Sequence, residues 1–202
     1  ESYRYFEPGH RRKSDLDSIL KSRKSPMGRI RPNRQLALTE AGQFGPEAKE
    51  FLKQLPELVA QIHRAKNNKA LADWFVNGVT KWLPKAKRAA FFVVDREAGR
   101  IRLQAHRPAL KPILSDTLAH RALEIRTGYS WLQVGKKECV RRLSMNAGLY
   151  VPMIFGGEEL GLLCVEATDE NAEFTEVDLA ALMLVGQLLS LAVRHHLATE
   201  AD

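Results

Sequence analysis

Cysteine is scarce in this chain: Cys139 and Cys164 are the only two in 202 residues. Two thiols build neither a disulfide framework nor a four-ligand zinc site, and the usage fits a reducing, cytoplasmic setting. Cys164 stands inside an apolar run and reads as a small buried hydrophobe. Histidine supplies no metal site, because the neighbours His195 and His196 point to different sides of a helix. A Gly-rich phosphate loop, a nucleophile elbow and kinase or cyclase signatures are all missing, which argues for regulation and against catalysis. No signal peptide is present, and the longest apolar stretch, Leu179–Val193, falls short of the roughly twenty residues that cross a bilayer.

Excess charge is also missing from most of the chain. The net charge is +7, but residues 1–45 hold ten Lys/Arg against five Asp/Glu, and the remainder holds 21 against 19. The main domain is therefore nearly neutral and does not call for nucleic acid. Residues 1–45 lack sustained periodicity and are broken by Pro26, Gly28, Pro32, Gly42 and Gly45. They read as a basic linker or the tail of an upstream domain, with Ser14–Leu20 as a short helix candidate. The other reading is a basic arm that touches acidic protein or nucleic acid, for which the aromatic interleaving is thin. The chain starts at Glu1 without methionine, so we expect a piece of a longer protein with linked upstream and downstream domains.

What is present, from residue 46 to 202, is an alternation of helical and strand patterns. Phe51, Leu52, Leu55, Leu58, Val59 and Ile62 recur at helical spacing, with Pro56 as a kink or a fresh start. After Asn67-Asn68 a second helix runs from Lys69 to Leu83. Ala89–Asp95 and Ile101–His106 are strands about a turn at Arg96–Gly99. Ser115–Ile125 reads as a helix with Ser115 near its cap and Gly128 closing it. Tyr129–Gln133 is a short strand, and Gly135 to Asn146 is polar and irregular. Leu149–Phe155 and Leu160–Val165 are apolar strands about Gly156-Gly157, a pair suited to the positive φ of a hairpin turn. Thr175 and Asp178 form a capping box with Asp at N3, and Phe174 and Leu179 occupy the staple positions. The helix behind them is apolar almost all round from Leu179 to Val193, so it needs cover on more than one side. Strands joined by tight turns and flanked by helices make an α+β domain built on an antiparallel sheet.

The sequence from Val151-Pro152 through Gly156-Gly157, Gly161 and Leu162, followed by an acidic loop and Phe174-Thr175…Asp178-Leu179 opening an apolar helix, resembles the end of a GAF domain. The order of elements over residues 50–197 is similar to that family throughout. The resemblance implies a ligand on one sheet face, under the middle helix and loops, with the first and last helices on the other face. It places a binding pocket between His106 and Tyr150, with His106, Arg126, Tyr129, Trp131 and Tyr150 as candidate ligand-binding residues for a small planar or amphiphilic molecule. No cofactor is named by these residues.

Cyclic-nucleotide-binding relatives carry an Asn-Lys pair before Phe-x-x-x-Asp-Glu. Phe174 and Asp178 match, but Glu166-Ala167 stands near where Asn-Lys is expected and Leu179 replaces the Glu. Tight cyclic nucleotide binding is therefore not expected. Bilin-linked relatives use a Cys usually followed by His, whereas Val140 follows Cys139. A methionine-sulfoxide-reducing branch needs more cysteines than the two here. Two readings remain: a small-molecule sensor that signals through its terminal helices to an output domain, and an unliganded dimerisation or docking module. Both imply a homodimer through the terminal helices and no membrane partner.

Overall fold

The computed structural model describes residues 2–4, 28–32, 46–96, 98–108, 116–133, 145–169 and 171–199. Two helices come first after the leading segment. Helix α1 (Pro46–Arg64) runs unbroken through Pro56. Helix α2 (Asn68–Trp82) starts where the Asn67 side chain accepts the Ala70 amide at 2.9 Å. Strands β3 (Arg88–Asp95) and β4 (Arg100–Arg107) form a hairpin about Gly99, whose φ is 57°. Helix α3 (Asp116–Ile125) leads to β5 (Tyr129–Gln133). Strands β6 (Ala147–Phe155) and β7 (Glu158–Ala167) turn at Gly156-Gly157, with φ of 58° and 84°. Helix α4 (Glu176–Thr199) follows. The Ser14–Leu20 candidate, the Ser115 cap and most of the Gly135–Asn146 segment lie outside the described residues.

All strand pairs are antiparallel and belong to one sheet. The strands expected to share it (β3, β4, β6 and β7) do so, with β5 beside β6. Two segments of the leading 45 residues add its edges: β1 (Ser2–Arg4) pairs with β4, and β2 (Gly28–Pro32) pairs with β5. The order is β1-β4-β3-β7-β6-β5-β2. Pro152 lies on β6 past the last β5 pairing at Tyr150, where the strand is an edge on that side and a missing N–H is tolerated.

Alternation along the strands divides the core in two. Leu149, Val151, Met153, Leu163 and Val165 face α1, α2 and α4, with Phe75, Val79, Leu182, Val185 and Leu189 packed on them. Tyr150, Leu162, Cys164, Ala90 and Phe92 face α3, which contributes Leu118, Ala119, Ala122 and Leu123. Cys164 is buried as expected.

The cap of α4 forms as the sequence predicts. The Thr175 amide donates to Asp178 Oδ2 at 2.8 Å, and the Asp178 amide donates to Thr175 Oγ1 at 3.1 Å. Phe174 and Leu179 are both buried beside it. Removing the hydroxyl in Thr175→Ala is expected to cost about 1 kcal/mol of unfolding free energy, measured by urea titration. One length expectation is corrected. The helix extends beyond the apolar stretch at both ends to 24 residues, and by length and composition it could cross a membrane. Its polar first turn and last turns lengthened it, and half of its apolar window is buried against the sheet and helices.

A second correction concerns the end of α3. Gly128 does not close it; Arg126 does, in the left-handed region with φ of 56°, its amide donating to Ala122 O at 3.1 Å. A side chain there costs of order 1 kcal/mol, so other contacts must hold it. Gly128 is needed for closeness instead: a Cβ would stand 2.8 Å from Met183 Cγ of α4 and 3.1 Å from Val151 Cγ2.

Candidate functional site

Register brings distant residues into two adjacent rows on the α3 face. One row crosses β4, β3, β7, β6 and β5 as His106, Ala90, Cys164, Tyr150 and Tyr129. The next crosses β3, β7, β6 and β5 as Arg88, Glu166, Gly148 and Trp131. Polar chemistry is concentrated in these two rows, while the Phe92, Leu162, Val94 and Ile101 end of the face is apolar.

The two tyrosines form the centre. Their rings stack with centroids 5.4 Å apart at 19°. The Tyr129 hydroxyl donates to Leu118 O, tying β5 to α3. Tyr150 lies back over Gly148, where a Cβ would come within 2.8 Å of its ring. Its hydroxyl donates to Glu166 Oε1 at 3.0 Å and sits 3.4 Å from Met145 Sδ. Arg88 Nη1 is 3.8 Å from Glu166 Oε2. Burial dominates the protonation of this cluster. It pushes the Glu166 carboxyl up to about 7, against the lowering effects of the Tyr150 hydrogen bond and Arg88. Burial, then the Glu166 charge, raises both the Tyr150 hydroxyl and the Cys164 thiol. Tyr129 is raised by burial and by Cys164, with Arg121 opposing.

Among the described residues, two donors on this side have no partner. Trp131 Nε1 and Arg121 Nε are both buried without an acceptor. Of the five residues proposed from sequence, Tyr129, Trp131 and Tyr150 therefore come together in one buried cluster. His106 shares their row on β4, half-buried, with Nδ1 2.9 Å from Pro108 O. Arg126 lies apart, at the β6–β7 hairpin: Nη2 donates to Gly157 O, and Nη1 is 2.9 Å from Glu159 Oε1. The sequence reading missed Glu166, Arg88 and Arg121. A lone carboxylate following the apolar run Leu160–Val165 was the available signal.

A cleft of about 10 Å³, room for one water, lies between Ser130, Trp131, Leu132, Glu173 and Phe174 along β5. Among the described residues no group of three His, Cys, Asp or Glu could hold a metal ion.

The helix over one face of the sheet and the helical layer on the other match what the sequence resemblance implied. The family model for the GAF domain matches residues 83–194, more than half of the chain. The chain belongs to the GAF domain family. Domains of this family are generally regulatory and often sensory in signalling proteins. The fold is similar to the GAF domain from a phosphoenolpyruvate-protein phosphotransferase of Coxiella burnetii, with a TM-score of 0.62 at 20% identity, covering 77% of this chain and 99% of that one. It is also similar to free methionine-R-sulfoxide reductase from Neisseria meningitidis in complex with its substrate (TM-score 0.63, 13% identity, 78% and 96% covered). A third is the phycoerythrobilin-bound GAF domain from a cyanobacterial phytochrome (TM-score 0.57, 14% identity, 74% and 97% covered). At these identities the likeness is one of fold. Comparison with curated protein sequences gave no match.

Proposed function

We propose that this GAF domain is a cytoplasmic, non-catalytic sensor that binds a small molecule on its α3 face and signals through its terminal helices to an output domain. The observation that carries this reading is a pair of buried donors on the α3 face that find no acceptor among the described residues, since a packed interior leaves few such groups. The two donors, Trp131 Nε1 and Arg121 Nε, lie with a buried carboxyl and two tyrosine hydroxyls. Buried donors left unpaired cost about 1–3 kcal/mol each, so a ligand bearing an acceptor beside a planar apolar body gains by meeting them. Thiol chemistry at Cys164 is disfavoured, since burial raises its thiol and so removes the nucleophilic form.

Thermal unfolding with benzoate, benzamide and benzylamine tests the reading. Benzoate is expected to raise the midpoint by a few degrees in the wild type and to do less in Trp131→Phe, which keeps the ring but loses the donor. If none of the three raises the midpoint, the docking module is the better reading, with the tyrosine stack as plain core. Calorimetry with cyclic AMP and cyclic GMP is expected to show no binding tighter than about 10 μM, because Glu166-Ala167 puts a carboxyl where the motif of cyclic-nucleotide-binding relatives has Asn-Lys and a phosphate needs a cation.

A homodimer through α1 and α4 belongs to the same proposal. The two helices pack together, and each leaves a large apolar pair exposed at seven-residue spacing: Leu52 and Val59 at 41% each, Leu184 at 41% and Leu191 at 51%. Such spacing forms one seam along a helix, and a twofold axis would bury it against its copy. Light scattering at tens of micromolar is expected to show a dimer that Leu191→Glu or Leu184→Glu converts to monomer. A monomeric wild type removes the dimer, and a dimer untouched by both substitutions puts its interface elsewhere.

A further inference from the structure

We propose that the turn Arg126–Gly128 is a joint that couples α3 to α4 around the edge of the sheet, so that movement of the helix over the ligand face reaches the C-terminal helix without crossing the strands. Its purpose rests on the sensor reading above; its mechanics do not.

Strand pairing creates the opening. β5 follows β6 only as far as Tyr129 opposite Tyr150, so Val151–Phe155 continue beyond it. The chain leaving α3 comes down beside this stretch. At Gly128 its backbone is so close to α4 that a Cβ would meet Met183 Cγ at 2.8 Å and Sδ at 3.1 Å, as well as Val151 Cγ2 at 3.1 Å. The turn that follows α3 therefore leans directly on Met183 of α4, with no side chain of its own between them.

Two residues earlier, Arg126 fastens the same turn to the hairpin. Its Nη2 donates to Gly157 O, and its Nη1 makes a charge pair with Glu159 at 2.9 Å. Glu159 is 9% exposed, so the guanidinium is its cover from solvent as well as its countercharge. The adjacent Glu158 is tied to the other layer: its Oε2 is 3.4 Å from Arg194 Nη1 on α4 and 3.0 Å from Arg96 Nη2. The hairpin tip is thus held by α3 through Arg126 and by α4 through Arg194. Two routes, one of packing and one of charge, join the same two helices. The left-handed backbone at Arg126 fits this role, because it aims the side chain at the hairpin instead of continuing the helix.

Coupling of this kind is reciprocal, so a lesion on either side should be felt on the other. Hydrogen exchange read by mass spectrometry on the unliganded full chain tests it. Arg126→Ala cuts the charge route, and Gly128→Ala pushes from the same turn on Met183 of α4. Each is expected to speed amide exchange roughly tenfold in residues 118–125 and in residues 182–190 together, while residues 71–79 of α2 keep the wild-type rate. Arg194→Ala is expected to loosen residues 182–190 and, more weakly, residues 118–125. Faster exchange confined to α3 in Arg126→Ala and to α4 in Gly128→Ala overturns the joint. So does equal acceleration of α2, which would mean global loosening. Because no ligand enters the measurement, either result leaves the sensor reading to its own test, and failure of the ligand titrations leaves this one standing.

Discussion

Gly161→Ala is expected to cost about 3 kcal/mol or more of unfolding free energy, a large share of the 5–15 kcal/mol typical of a domain. Gly161 sits on β7 opposite Val93 of β3 on one side and Met153 of β6 on the other. A Cβ built there falls 2.2 Å from Phe92 O and 2.3 Å from Met153 Cε. The methionine can swing away, since its thioether chain is flexible. The carbonyl cannot, because β3 is fixed between β4 and β7 in the middle of the sheet. The strands must part, and β7 faces a helical layer on one side and α3 on the other. Gly148→Ala gives the useful comparison. The three atoms nearest its Cβ all belong to the Tyr150 side chain, the first at 2.8 Å, and none is backbone. That variant should keep most of its stability and disturb the Tyr150–Glu166 bond instead. Urea unfolding of both variants checks the order; a Gly161→Ala protein within 1 kcal/mol of wild type, as a rough bound on ordinary surface effects, would show that the strands can separate freely.

Features decided within a few residues were legible in the sequence. The Thr175–Asp178 box and the Gly156-Gly157 turn depend on their own neighbours alone, and both form as the residues dictate. So does the alternation that sends Cys164 to one face and Val165 to the other. Pairings across the sheet were not legible in the same way. Nothing local tells Ser2–Arg4 to join β4 or Gly28–Pro32 to join β5. Arg126 shows the limit for side chains: nothing near it in sequence announces its contacts with Gly157 and Glu159, more than thirty residues later. Glu166 shows it again. In sequence it marks a departure from a phosphate-binding motif; in the fold, register sets it beside Arg88 on β3 and within reach of Tyr150 on β6. The aromatic members of the candidate site were easier, because Tyr129, Trp131 and Tyr150 lie on strands whose alternation already aims them at one face.

Glu166 also carries the strongest pH dependence expected of this domain. In the unfolded chain its carboxyl titrates near its ordinary value of 4.5, and in the fold burial pushes it up to about 7. A raised carboxyl means that the folded state binds more protons than the unfolded one across that interval, so stability falls as pH rises. The contribution is fully present below about pH 4.5, is lost through the interval, and is absent above about pH 7. Its size is about 3 kcal/mol, from some 1.4 kcal/mol for each pH unit of displacement. Glu158 opposes it in direction, since its hydrogen bond with Arg96 holds that exposed carboxyl below the ordinary range, and it therefore favours the fold as pH rises. Glu166→Gln separates the two. The amide keeps an oxygen to accept from the Tyr150 hydroxyl and has no proton to lose, so the fall assigned to Glu166 should vanish and the Glu158 effect should remain. Urea unfolding of wild type and Glu166→Gln at pH 5 and pH 8 is the measurement. The variant is expected to gain about 2.5 kcal/mol on the wild type between the two conditions, since at pH 5 a little of the effect is already lost. Parallel pH profiles for the two proteins would mean that Arg88 and Tyr150 hold the carboxylate well enough to cancel its burial.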